Sequence, residues 1–106
     1  MKLHRLQDMR GGWFVGDFLP TCLRTSAVEV SYKTYSAGEA EVRHMHRIAT
    51  EVTLVAYGRI AMNDCEYAEG DVVVLSPGEA STFRALEASA TVVVKMPSVV
   101  GDKYTV

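Results

Sequence analysis

The chain has 106 residues, 48% hydrophobic and 23% charged, with a formal net charge of −2 when histidine is neutral. That composition excludes disorder, and the length suits one domain over 1–106 with a core of its own. The Lys and Arg residues are scattered and no apolar run approaches the ~20 residues of a bilayer span, so neither nucleic acid nor a membrane is an expected partner.

The first residues, Met1 to Asp8, contain no apolar core of a signal peptide, and His4 among them reads as a solvated surface histidine. Cys22 and Cys65 lie too far apart for a redox or metal motif. Free thiols in the cytoplasm are therefore expected.

Glycines punctuate the rest of the chain, and short runs rich in Val, Thr, Tyr and Ile lie between them. That pattern predicts an all-β sandwich or barrel. Val28 to Tyr35 alternates apolar and polar residues and reads as a half-buried strand. Glu41 to His46 follows as a second strand. Val52 to Tyr57 is apolar on both faces, which predicts a central strand broken at Gly58. Arg59–Met62 and Cys65–Tyr67 flank Asn63-Asp64, a pair that tolerates positive φ and predicts a tight hairpin. Asp71 to Leu75, Thr82 to Leu86 and Thr91 to Met96 complete the set, and Pro97 stops the last of them. The region from Glu79 to Ala90 contains helix formers, but Ser81, Thr82 and Phe83 favour extended chain.

The chemistry gathers in one stretch. On a strand, side chains alternate, so His44 and His46 share a face. Two neutral imidazoles at that spacing suit a divalent transition metal. Glu51 opens the next strand after a turn-length segment and brings a carboxylate beside them. The result is a two-His-one-carboxylate set with open positions, or, without metal, a coupled acid–base cluster. Tyr35, Tyr57, Ser81 and Phe83 are candidate pocket-lining residues, with Tyr57 sharing the parity of Glu51. Arg43, Arg47 and Arg84 flank the cluster in sequence and are candidate clamps for an anionic substrate. Met45 and Met62 read as core or interface fillers, and Asp102-Lys103 as a solvated terminal turn.

Gly38, His44, His46, Glu51 and Gly58 stand at the spacing Gly, five residues, His-x-His, four residues, Glu, six residues, Gly. This resembles the first motif of the cupin family. A second, degenerate resemblance runs through Gly70 and Gly78. Pro77 stands one place later than the family proline, Ser81 takes the place of the third metal-binding His, and Ala85 replaces the Asn. The resemblance covers roughly 28–96. It implies a double-stranded β-helix, or jelly-roll barrel, with the three side chains in its mouth. It also implies Fe, Mn, Zn or Ni at His44, His46 and Glu51, or no metal if the loss at Ser81 is decisive.

Three functions follow as expectations. One is a metal-dependent enzyme of oxygenase or isomerase type acting on a small molecule, with carbohydrate-related ligands among the candidates. Another is a metal-free relative of the cupin sugar-nucleotide isomerases and epimerases, with His44 or His46 as acid or base. The third is a non-catalytic module that binds a small ligand. The apolar face of Val52, Leu54 and Ala56 needs a cover, and a homodimer is expected to supply it.

Overall fold

A computed structural model of the chain describes residues 1–106. It is built almost wholly of strands: β1 (Trp13–Gly16), β2 (Leu23–Arg24), β3 (Glu29–Tyr35), β4 (Ala40–Met45), β5 (Thr50–Tyr57), β6 (Arg59–Met62), β7 (Cys65–Ala68), β8 (Val72–Leu75), β9 (Ser81–Ala85), β10 (Ser89–Met96) and β11 (Tyr104–Thr105). The one helical turn is a 3-10 segment over Leu6–Asp8. A six-stranded sheet runs β2-β1-β3-β10-β5-β8 and a five-stranded sheet runs β11-β4-β9-β6-β7. From β3 onward the chain passes back and forth between the sheets, the β6–β7 hairpin aside, which is the winding of a double-stranded β-helix. No helix is long and apolar enough to cross a membrane.

The expected strands from β3 to β10 all form, with ends shifted by a residue or two. Asn63 and Asp64 adopt φ of 49° and 66° and close the β6–β7 hairpin as their side chains predict. Gly58 has φ 85°, and a Cβ there would lie 2.3 Å from the Ser89 hydroxyl and 2.4 Å from the Ala88 carbonyl oxygen. Only glycine fits that corner. Cys22 and Cys65 are free thiols.

The apolar core sits between the sheets at one end. It consists of Val55, Ile60, Met62, Leu75, Phe83 and Ala85, with Tyr35, Tyr67 and Val73 packed against it. Towards the other end the inward residues turn polar. In β3 the polar parity points inward: Glu29 and Ser31 are buried, while Val30 and Tyr32 are only partly covered on the outside. Alternation alone suggests the reverse, with the apolar residues facing the core. The pairing register explains the inversion. Val30, Val94, Val52 and Val74 form one cross-strand row on the outer face, and Tyr32, Val92, Leu54 and Val72 form the next. Between those rows, facing inward, lie Ser31, Val93, Thr53 and Val73.

Candidate functional site

The polar end of the barrel holds a cavity of about 310 Å³. His44, His46 and Glu51 line it together, as do Tyr35, Ser81 and Phe83. Tyr57 does not. Its expected inward direction is corrected by a bulge in β5: Val55 pairs with Thr91 while Tyr57 pairs with Ala90, one residue out of step. The extra residue reverses the parity, and Tyr57 ends up 41% exposed at the far end of the strand.

A bulge also shapes β4. Glu41 pairs with Phe83 and His44 with Ser81, so three residues on β4 span two on β9. This lets Glu41 and His44, of opposite parity, both reach the cavity. His46 lies just past the strand, where its backbone carbonyl accepts the Gly78 N–H at 2.6 Å. Both rings are buried, with centroids 5.3 Å apart and planes at 75°.

Each histidine is fixed by its own backbone contact. His44 Nδ1 lies 2.8 Å from the Val42 carbonyl oxygen, and His46 Nδ1 lies against the carbonyl oxygen of Asp102. A carbonyl only accepts, so both Nδ1 atoms carry a proton, and in the neutral rings Nε2 carries the lone pair. His46 Nε2 is buried and has no hydrogen-bond partner. Glu51 Oε1 stands 3.3 Å from it. The Glu51 carboxylate at Nε2 raises the His46 pKa against the opposing effect of burial, and the Asp102 carbonyl adds to the rise. Burial pushes the Glu51 carboxyl up, but His46 outweighs it and the net shift is downward.

The turn that carries His46 towards Glu51 is held from the far end of the chain. The Asp102 carboxylate accepts backbone N–H groups from Arg47 at 2.8 Å, Ile48 at 3.1 Å and Ala49 at 2.9 Å. Asp102 is therefore no solvated terminal turn, as its place after Gly101 suggests: it is only 6% exposed. Burial raises its carboxyl pKa, but the three amides outweigh that and hold it below the ordinary aspartate value. Lys103, beside it, lines the cavity. No local signal in the sequence marks either residue, because their contacts span half the chain.

The arginine clamps do not form either. Arg43, Arg47 and Arg84 all point away from the cavity, and Arg47 stacks on the Tyr104 ring at 4.0 Å. Lysines take that position instead. Across the six-stranded sheet Glu29, Lys95 and Glu51 stand side by side on β3, β10 and β5. Lys95 Nζ lies 2.7 Å from Glu29 Oε1, and the other Glu29 oxygen accepts the Ser98 hydroxyl at 2.6 Å. The Tyr35 hydroxyl donates to Glu41 at 3.3 Å, and burial together with the Glu41 charge keeps the phenol protonated well above its ordinary range.

The donor chemistry fits a divalent transition metal. Two imidazoles with Nδ1–H tied to carbonyls, an orphaned buried Nε2 and an adjacent carboxylate are what such an ion requires. The side chains as placed do not converge, however, since no three His, Cys, Asp or Glu groups come together at ligating geometry. Glu51 is turned to His46, and Ser81, paired with His44, offers a hydroxyl in place of an imidazole.

The fold is a double-stranded β-helix, shared with solved cupin structures. Among solved structures the chain is similar to a conserved protein with a double-stranded β-helix domain from Klebsiella pneumoniae, with TM-score 0.70, 19% identity, and 76% of this chain and 71% of that one covered. It is also similar to KdgF from a Halomonas species, with TM-score 0.64, 18% identity, and 71% and 74% covered. A third likeness is to a sugar phosphate isomerase of the cupin superfamily from Silicibacter pomeroyi, with TM-score 0.60, 20% identity, and 67% and 51% covered. No family model and no curated protein matches the sequence.

Proposed function

We propose that this chain is a cytoplasmic cupin that binds or converts a small molecule, with His44, His46 and Glu51 as ligands of a divalent transition metal. The observation that carries the reading is the buried cluster of His44, His46 and Glu51 in one cavity, with both Nδ1 atoms held by backbone carbonyls and His46 Nε2 turned to the Glu51 carboxylate. A neutral His46 sets its Nε2 lone pair against a carboxylate oxygen, which costs free energy unless a proton or a cation sits between them. A rotation of the Glu51 carboxylate would complete the three-ligand set and leave positions open for a substrate. A metal so held would act as a Lewis acid. The likeness to a sugar phosphate isomerase supports carbohydrate-related ligands as the first class to screen. Cupins host many chemistries, so the fold by itself assigns none of them.

A second reading is favoured by the 3.3 Å contact between His46 and Glu51 and by the serine at position 81. In it the pair acts without metal, Glu51 orienting His46 as general acid or base. Cobalt titration of chelator-treated protein separates the two. Saturation at one equivalent, with a visible absorption band absent from His46→Ala and Glu51→Gln, supports the metal reading. An unsaturable response that is the same in both variants would discard it in favour of the acid–base pair.

A further inference from the structure

The charges around the cavity do not balance. Four cationic side chains line it, Arg10, Lys33, Lys95 and Lys103, against the carboxylates of Glu29, Glu41 and Glu51. Glu29 is taken up by Lys95 and Ser98, and Glu51 faces His46. Glu41 already accepts the Tyr35 hydroxyl and stands 4.0 Å from Lys33 Nζ, beyond hydrogen-bond length. Arg10 and Lys103 form no ion pair.

Lys33 is the telling residue. Its side chain keeps 26% of its exposure, and its ammonium lies 5.1 Å from the centre of the Trp13 ring. Lys95 lies over the same indole at 4.8 Å. Burial lowers the Lys33 pKa, Glu41 opposes that, and the nearby Lys103 and Lys95 lower it further. Ammonium groups brought together in a half-buried space repel one another, and desolvation adds to the cost unless an anion joins them. Trp13, Phe18 and Leu19 supply an apolar wall beside these cations. A volume of about 310 Å³ lies at the small end of ligand pockets.

We propose that the cavity takes a small organic acid, whose carboxylate is held by Lys33 and Lys103 while its body lies against the Trp13 wall in reach of the histidines. This rests on the small-molecule reading given above and adds the substrate's charge to it.

The test is calorimetric titration with succinate and with its uncharged diamide, succinamide, on metal-loaded and chelator-treated protein. Saturable succinate binding is expected, with succinamide roughly tenfold or more weaker, the cost of losing a charge-assisted bond. Lys33→Met should weaken succinate by a similar factor, and Lys103→Met, at an exposed position, should do so with little effect on folding. Lys33→Arg should retain most of the affinity. Absence of saturable succinate binding, equal binding of the diamide, or unchanged affinity in both methionine variants would overturn the proposal. Metal content read on the same samples keeps the two claims apart. Succinate bound through Lys33 by protein that takes up no metal on loading would remove the metal reading alone. Metal bound without succinate would remove this one alone.

Discussion

His46 shows how much of the site one side chain can carry. Its ring is held by a carbonyl from the end of the chain, its free nitrogen faces Glu51, and its neighbour His44 pairs with Ser81 across β4 and β9. Because Ser81 is only 3% exposed and stands opposite His44, Ser81→His would place a third imidazole beside the other two. We expect that variant to bind metal at least about tenfold more tightly, an added ligand being worth 1.4 kcal/mol or more, measured by competition with a chromophoric chelator. Unchanged affinity would mean that position 81 does not face the ion. The His-x-His pair is readable in the sequence because strand periodicity puts both rings on one face, and Glu51 because a turn-length segment separates it from them. Tyr57 misleads for the same reason: parity is reliable only until a bulge, and no residue around Ala56 announces one. Lys33 and Lys95 escaped notice because a lysine at an inward position on a strand looks like any surface charge until the sheets are in place.

Among the elements, the short segment after β10 matters beyond its length. Asp102 pins the β4–β5 turn through three backbone amides, and β11 then pairs with β4 through Tyr104 and Thr105. The folded pKa of Asp102 is depressed, so its stabilisation is present above the unfolded value of about 3.9 and is lost as pH falls through the folded one. Asp102→Asn should therefore cost about 1.5–3 kcal/mol at pH 7, the worth of hydrogen bonds to a charged group. The gap from wild type should narrow below about pH 4. Urea unfolding at several pH values reads this directly, and a gap independent of pH would contradict it. The strands from β3 to β10 are legible because each carries enough β-branched and aromatic residues between turn signals. The elements β1, β2 and β11 are not. Two of them have only two residues, and β11 depends on a partner half the chain away.

For the whole molecule, the inverted parity of β3 has a consequence outside the barrel. The inside of the six-stranded sheet is spent on the polar cavity, so its outer face carries the valines. Val72 and Val74 are 56% and 58% exposed, and no charged residue interrupts the two cross-strand rows to which they belong. An uncharged sheet face is self-complementary about a two-fold axis, which makes a second copy the natural cover. Light scattering at micromolar concentration should give twice the chain mass, and Val72→Lys with Val74→Lys should halve it. A monomeric wild type would refute the dimer and leave the face to another partner.

A metal held by His44, His46 and Glu51 would be read by elemental analysis, using inductively coupled plasma mass spectrometry on tag-free protein. A near-stoichiometric divalent transition metal is expected in the wild type, and its loss in the His44→Ala/His46→Ala double variant. Absence of metal in the wild type after reconstitution, or equal content in both proteins, would contradict it.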